Sequence, residues 1–515
     1  MSADSKDSTK NGAGAARPAE RSGGTVRNPL RAAGAHLVRS ALYPFFEKRW
    51  HPSAAAYLRE MYKYEFAAFD AVRQEQWSRL KALLALANEH SPYYRGLFRH
   101  QGIRVDDIRS FEDLRFIPSL SKATVQQKAS EIICDNRKPE EGKANASGGS
   151  TGKPVQFFQD MEYWDRATAA DWFVQSWWGI KPGDRTASVW GADRDIQDQT
   201  WRDKVYSFLV QTRVCNAFAI STPRMEEFAA MLDSWQPKHI TGYSSALEVF
   251  AQFVLERPHL KIRPLAIRAT AEVLTPEARD TVERAFQSRV YNFYGSREIN
   301  NLAAECPSGG GLHVNALGRY IEIVDEAGKP LPVGVPGRVL VTDLTNSYMP
   351  FIRYEIEDVS SWTEAPCRCG RPFPLLSRIW GRSSDFIATP DGRMIHGEYF
   401  THLFYDVPGV AFFQLKQTAL REVSVSIVAR PGADAASSIT LLRERMAKAL
   451  GADVNLAIQT VDYIDRTASG KHRFVVSTVK APWSKGANTG GAAQSADAAL
   501  SEEKLTVPES AREPK

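Results

Sequence analysis

Large apolar side chains are unevenly spaced along the chain, and the spacing divides it into parts. Residues 1–30 and 482–515 consist mainly of Ala, Gly, Ser and charged residues, with few large apolar side chains. Such segments bury too little surface to offset the entropy of ordering, so both are expected to be disordered tails. Over residues 28–61, Leu, Val, Tyr, Phe and Trp alternate with Arg31, Arg39, Lys48 and Arg49. This basic amphipathic stretch predicts helix packed on its own domain, peripheral membrane contact being the other use of such a face. Residues 65–88 continue the helical period, and Ser91-Pro-Tyr-Tyr-Arg95 ends it. Residues 111–122 are turn-rich. Residues 160–180 return to a helical pattern dense in tryptophan.

Thereafter short apolar runs alternate with helical ones. Residues 187–190, 214–217 and 239–242 predict strands, and 223–234, 245–255 and 276–286 predict helices. That alternation argues for a parallel sheet covered by helices. Residues 312–341 change character, with strand-like 320–324, a turn at Glu326-Ala-Gly328 and strand-like 337–341, which predicts a β subdomain. Beyond Asp385, strands at 409–417 and 423–428 and a helix at 438–450 predict a compact α+β unit. The expected fold class is α/β: a large layered domain over 31–383 with a β subdomain, then a small domain over 384–481.

The run Ser147-Gly-Gly-Ser-Thr-Gly-Lys-Pro154 breaks this pattern. Gly148, Gly149 and Gly152 let backbone amides converge on an anion, and Ser147, Ser150, Thr151 and Lys153 add donors suited to phosphate oxygens. The spacing rejects a Walker P-loop, which needs four residues between its glycines and Ser or Thr after the lysine. Here three residues separate Gly148 from Gly152, and Pro154 follows Lys153, where a P-loop must open a helix. A solvated Gly/Ser linker has no need of Lys-Pro followed at once by strand-like Val155-Gln-Phe-Phe158, so the run reads as a phosphate-binding loop of another kind.

With 515 residues, the chain has material for two or more domains with large cores. A net charge of only +5 implies no strongly basic face, so no nucleic-acid partner is expected. Five cysteines in a chain this size do not make a disulfide framework. No apolar run reaches transmembrane length, and residues 1–24 lack the apolar core of a secretory signal, so a cytoplasmic protein is expected.

Four later segments follow the loop in order: Tyr291-Asn-Phe-Tyr-Gly-Ser-Arg-Glu298, Ile352-Arg-Tyr-Glu-Ile-Glu-Asp358, Ile379-Trp-Gly-Arg-Ser-Ser-Asp385 and Arg466-Thr-Ala-Ser-Gly-Lys-His-Arg473. Together with the loop they resemble the motifs of the adenylate-forming superfamily of acyl- and aryl-CoA ligases. The form of the loop, Met349-Pro-Phe-Ile-Arg-Tyr354 and Cys367-Arg-Cys-Gly-Arg371 resemble its branch of phenylacetate-CoA ligases and CapK-like capsule-biosynthesis ligases. The resemblance spans residues 40–480. It implies ATP-dependent activation of a carboxylic acid, aryl acids included, as an acyl-adenylate, followed by transfer to CoA. A carboxylate is a poor electrophile, so such a site must hold Mg-ATP and stabilise charge growing on the phosphates.

The same resemblance implies roles for individual residues. Ser147, Gly148, Gly149, Ser150, Thr151, Gly152 and Lys153 would grip the β- and γ-phosphates. Glu298 and Thr151 would serve Mg²⁺, a hard cation that prefers oxygen. Tyr294 would lie on adenine, near the backbone of Asn292, Phe293 and Gly295, with Thr270, Ala271 and Glu272 on the other side. Asp358 would accept from both ribose hydroxyls, and Arg382 would reach the ribose or the phosphate. Lys471, on a mobile C-terminal domain, would neutralise charge as the carboxylate attacks. By position, Trp190, Tyr243 and Ser244 are candidates for the acyl-pocket wall. Three departures stand out. Arg297 replaces the Thr of many members, where it could still meet an anion, and it joins Lys471 and Glu298 as a catalytic candidate. Glu357 stands where Gly is usual, beside the ribose aspartate. Ser384 stands where Asp is common in the hinge.

A metal site is expected apart from this chemistry. Cys306 and His313 share one Gly-rich turn, and Cys367 and Cys369 share another across the β segment. Three thiolates and an imidazole are a standard structural set for zinc, although neither half has Cys-x-x-Cys spacing. Some ligases of the resembling branch also look to carry such a site. Two other functions stay open: adenylation with transfer to an amine, hydroxyl or carrier thiol in polysaccharide or envelope biosynthesis, and a non-catalytic nucleotide-binding assembly protein. The intact loop, Glu298, Asp358 and Lys471 argue against the second.

Overall fold

A computed structural model describes residues 43–147, 155–190, 211–216, 222–363, 366–382, 386–391, 394–396, 400, 403–404, 407, 409–430, 435–451, 453–465 and 473–479. Both tails, residues 148–154 of the Gly/Ser loop and the segment with Lys471 therefore lie outside the described residues.

The amphipathic N-terminal pattern is two helices where it is described, α1 (Tyr43–Trp50) and α2 (Ala54–Tyr64), interrupted at Pro52. Ala54 and Met61 of α2 are buried. The Ser53 backbone N–H and His51 Nδ1 bond Asp165 at 2.9 and 3.1 Å, so this region packs on its own domain. The next helix, α3 (Phe69–His90), ends at Ser91 as expected, but Pro92 also opens α4 (Pro92–Gln101). Proline is favoured there because the first N–H of a helix has no helical partner. After a short 3₁₀ turn at Phe111–Phe116 comes α5 (Lys122–Ile132). A hairpin of β1 (Lys143–Ala146) and β2 (Gln156–Gln159) leads into α6 (Met161–Trp177), which Asp160 caps.

The centre of the molecule alternates β3 (Thr186–Trp190), β4 (Thr212–Asn216), α7 (Thr222–Trp235), β5 (His239–Tyr243), α8 (Ser244–Leu255), β6 (Ala266–Thr270), α9 (Pro276–Phe286) and β7 (Val290–Tyr294). The five strands form a parallel ladder in the order β4-β3-β5-β6-β7. Ile240, Leu247, Phe250, Ile267 and Phe286 belong to its core. Six antiparallel strands follow: β8 (Ala303–Glu305), β9 (Leu312–Val314), β10 (Arg319–Val324), β11 (Gly337–Asp343), β12 (Tyr354–Trp362) and β13 (Leu375–Arg382). The expected β segment is present, yet it is not a detached sheet. The two three-residue strands β8 and β9 join it to β7, giving one eleven-stranded sheet ordered β10-β11-β12-β13-β9-β8-β7-β6-β5-β3-β4. Its antiparallel half has its own core, with Leu80, Leu84, Tyr94 and Phe98 of the N-terminal helices and Phe351 and Tyr354.

Downstream, a small hairpin pairs β14 (Phe386–Ala388) with β15 (Met394–His396). A four-stranded sheet then combines β16 (Val410–Ala419), β17 (Glu422–Ala429), β18 (Asn455–Thr460) and β19 (Val475–Ser477) in the order β18-β17-β16-β19, with helix α10 (Ala435–Leu450). Phe413, Leu415, Val425, Ile427, Leu442 and Met446 form a core separate from those of the large sheet. Among the described residues no helix is long and apolar enough to cross a membrane.

One core group makes a pH prediction. His239 is fully buried, and neither ring nitrogen has a hydrogen-bond partner among the described residues. Burial, aided by the Arg268 charge, holds its pKa well below the usual value. Below about pH 6.5 the unfolded chain takes up a proton that the folded one refuses, costing about 1.4 kcal/mol per pH unit. His239→Leu is therefore expected to flatten the fall in stability between pH 6.5 and 5, measured by denaturant unfolding. A variant that stays as acid-sensitive as the wild type would remove His239 as the cause.

Candidate functional site

Four of the five parallel strands end on a candidate residue. Trp190 ends β3, Tyr243 ends β5, Thr270 ends β6 and Tyr294 ends β7. Register pairs Tyr243 with Thr270 and Thr270 with Phe293, so these positions line one edge of the sheet. It is the carboxyl edge of the parallel strands, where open α/β sheets bind ligands.

The hairpin on either side of the loop is closed by its own bonds. Ala146 pairs with Gln156, the Ser147 N–H donates to Val155 O at 2.9 Å, and the Val155 N–H donates to Ser147 Oγ at 2.9 Å. These bonds bring Ser147 and Val155 together; Gly148, Gly149, Ser150, Thr151, Gly152 and Lys153, between them, lie outside the described residues. Gln159 of the same hairpin donates to the Glu298 backbone oxygen at 3.1 Å. The hairpin that flanks the loop is thus tied to the backbone of Glu298.

Glu298 is 6% exposed, and Tyr354 Oη donates to its Oε1 at 3.3 Å. Its turn is fixed on both sides. The Ile299 N–H bonds Ser296 Oγ at 3.0 Å, and the Asn300 N–H bonds Tyr163 Oη at 2.9 Å. Arg297 is half-buried in this turn. Across the antiparallel half, Tyr294 Oη donates to Asp358 Oδ2 at 2.8 Å. Tyr294 is itself largely buried, so its hydroxyl orients the carboxylate assigned to ribose. Asp358 pairs in register with Arg382, whose side chain is not described, as is also true of Trp190. Asn292 sits deeper in β7, with its N–H on Glu305 at 2.9 Å. That leaves Phe293, Tyr294 and Gly295 nearer the edge.

The segment after β6 does more than flank a ligand. Glu272 Oε2 accepts from the Ser245 N–H at 2.9 Å and from Ser245 Oγ at 2.6 Å. Ser244 Oγ donates to the Glu272 backbone oxygen at 3.3 Å. The carboxylate therefore neutralises the start of α8 and holds the Tyr243–Ser244 corner, an arrangement the helix dipole favours. Ala271 has φ +67° and Glu357 φ +70°, left-handed values that cost residues with a Cβ on the order of 1–2 kcal/mol each. Strain of that kind collects at functional sites. Gln159 and Tyr163 support the site yet carry no motif signal, because their partners are distant in the chain; Tyr354 lies within a quoted motif, but its bond to Glu298 does not show in the sequence.

The four metal-ligand candidates do meet. Cys306 Sγ lies 3.5 Å from Cys367 Sγ, Cys369 Sγ lies 3.2 Å from His313 Nε2, and all four ligand atoms fall within 4.8 Å of one another. Sulfurs sharing one tetrahedral zinc are spaced by about 3.7 Å, whereas a disulfide needs about 2.05 Å. The sheet explains the meeting, since Leu375 of β13 pairs with His313 of β9 and brings both turns to one end. His313 Nδ1 faces the Phe373 oxygen at 3.4 Å, which turns Nε2 toward the sulfurs. Burial lowers the His313 pKa to about 4, so the ring is neutral, the form that ligates a metal. Burial pushes the Cys306 thiol up to about 12. Burial opposes ionisation of Cys369 too, but hydrogen bonds from the Arg371 backbone, Cys367 and Arg371 outweigh it and hold the thiol below its usual value. A divalent cation would favour the thiolate at all three sulfurs.

Comparison with known proteins gives the same direction. Residues 387–478 match the family model of the CapK C-terminal domain. The chain is 24% identical over 398 residues to Protein CapK of Staphylococcus aureus, covering 76% of this chain and 86% of that one. It is 24% identical over 443 residues to a phenylacetate-coenzyme A ligase of Thermus thermophilus, covering 80% and 97%. A solved 2-hydroxyisobutyryl-CoA ligase in the postadenylation state shares the fold, with a TM-score of 0.63 and 21% identity over 80% of this chain and 90% of that one.

Proposed function

We propose that this homologue of CapK and of the phenylacetate-CoA ligases activates a carboxylic acid with ATP as an acyl-adenylate and transfers the acyl group to CoA. The observation that carries the reading is the convergence, at one edge of the sheet, of the loop hairpin with Glu298 and of Tyr294 with Asp358. The loop receives the β- and γ-phosphates, Asp358 the ribose hydroxyls and Glu298 the magnesium ion. Tyr243 and Ser244 border the acyl group at the start of α8. A second reading keeps adenylation and changes the acceptor to an amine, a hydroxyl or a carrier thiol, as in polysaccharide or envelope biosynthesis. Cys306, His313, Cys367 and Cys369 hold a structural zinc ion with no open position for chemistry.

The test is exchange of labelled pyrophosphate into ATP with a panel of aliphatic and aryl acids, followed by mass-spectrometric detection of acyl-AMP and acyl-CoA. Acid-dependent exchange is expected. Binding of ATP without exchange for any acid would favour a non-catalytic nucleotide-binding protein. Acyl-AMP that forms but is not consumed by CoA would favour another acceptor.

A sharper prediction concerns Asp358. Ribose contacts are alike in ground and transition states, so Asp358→Ala is expected to weaken ATP binding about tenfold with little change in turnover at saturation. Tyr294→Phe, which only frees the carboxylate, is expected to have a smaller effect of the same kind. Titration calorimetry with Mg-ATP reads both. Unchanged affinity in Asp358→Ala would make the residue structural.

A further inference from the structure

Two local rules of sequence are broken beside Asp358, and the two offending residues meet. Lys122 is the first residue of α5, at the helix end where a positive charge is disfavoured by the dipole. Glu357 occupies a left-handed position, φ +70°, that suits glycine. Lys122 Nζ donates to Glu357 Oε2 at 2.5 Å, with the lysine side chain 16% exposed and the carboxylate 35%. Departures of this kind that are not compensated locally mark functional positions.

The pairing is built into the backbone. Leu120 forms an isolated parallel bridge with Tyr354 at the start of β12, on the stretch before β13 begins to pair at Asp358. The Leu120 N–H donates to Arg353 O at 3.0 Å, and the Glu355 N–H donates to Leu120 O at 3.0 Å. Ser119 Oγ adds a 2.6 Å bond to Glu355 Oε1, and Ser121 Oγ accepts the Thr124 N–H as the helix cap. Lys122 is thereby delivered to Glu357 by an element 235 residues away in sequence.

We infer that Lys122 is a positioning residue that clamps and neutralises the Glu357 carboxylate, so that, with Glu355 already paired to Arg338 at 3.5 Å, a polyphosphate nucleotide meets the charge of Asp358 at this strand without that of Glu357 added to it. The inference rests on the reading of Asp358 as a nucleotide contact. Without the lysine, a second carboxylate stands next to the first and repels the incoming phosphates. With glycine at 357 there is no charge to hold, and the lysine becomes dispensable.

The experiment is titration of the full chain with Mg-ATP. Lys122→Ala and Lys122→Gln are expected to bind roughly tenfold more weakly, a factor worth about 1.4 kcal/mol. Lys122→Arg is expected to stay within about twofold of wild type, because it restores the ion pair. The decisive variant is the double Lys122→Ala/Glu357→Gly, expected within about twofold of wild type although the ion pair is gone. A merely structural lysine would not be rescued this way. Wild-type affinity in Lys122→Ala, or a double variant as weak as Lys122→Ala, overturns the inference alone. Equal affinity of wild type and Asp358→Ala overturns the nucleotide reading of the strand and the inference with it.

Discussion

Lys471→Ala is expected to slow acyl-adenylate formation at least about a hundredfold, the loss typical of removing one preorganised electrostatic stabiliser. The attacking carboxylate and the triphosphate are both anionic, and negative charge is redistributed onto pyrophosphate as the bond forms, so a lysine there acts on the transition state. What makes the prediction specific is where the flanking strands lie. The segment 466–472 joins β18 to β19, and β19 pairs with β16 in the C-terminal sheet. Gln414 fixes the near end by donating to Arg473 O at 2.9 Å. Glu298 and Asp358 belong to the large sheet, with a different core. The lysine and the carboxylates are thus supplied by separately packed units. We propose that the C-terminal unit presents Lys471 only for adenylation and turns away for transfer. Reaction of supplied acyl-AMP with CoA should then survive in Lys471→Ala. The two half-reactions are measured separately by pyrophosphate exchange and by thioester formation, and equal damage to both would refute the turning model.

The parallel half of the sheet was legible because its strands and helices alternate at lengths a pattern can resolve. Residues 187–190 and 239–242 were read as strands, and the structure extends them by one residue at one end each. The continuity of the sheet was not legible. It depends on β8 and β9, three residues each, whose apolar residues form no period. For the same reason the β segment looked detached. Pro92 was read as a stop because proline ends a helical pattern, whereas here it also begins the next helix. Among candidate site residues, those with unusual chemistry could be named from sequence and those acting by contact could not. Glycines, cysteines and the Tyr294-to-Glu298 run stand out in sequence. Gln159 and Lys122 are ordinary residues whose partners Glu298 and Glu357 are 139 and 235 positions away, and Tyr354, though part of a quoted motif, gives no sign of its bond to Glu298, 56 positions away. Glu357 was visible only as a misplaced charge; its left-handed backbone explains why glycine is usual there.

Removal of the metal proposed for the Cys306–His313–Cys367–Cys369 cluster is expected to lower stability by about 3 kcal/mol or more, since binding free energy at a structural zinc site is folding free energy. The cluster bridges the turn between β8 and β9 and the turn between β12 and β13, the strands through which the antiparallel half is joined to the parallel one. Its surroundings are largely apolar. Trp177 and Phe373 lie 5.6 and 6.5 Å from the His313 ring, and Arg371 covers Trp177 while bonding Glu65 at 2.7 Å. Burial holds the Cys306 thiol protonated, and a cation would reverse that. Protein purified without chelator or a histidine tag should carry about one zinc per chain. Acid should release it, because protons compete for the thiolates and for His313. The Cys367→Ser/Cys369→Ser variant should lose the metal and unfold at a temperature lower by at least about 6 °C, given some 2–4 °C per kcal/mol for a domain of this order. If nucleotide affinity in that variant also falls, the cluster pins Asp358 through β12; if it is unchanged, the zinc serves the fold alone. Metal-free wild-type protein of undiminished thermal stability, or full zinc occupancy in the double variant, would show that the four side chains meet for packing and not for a metal.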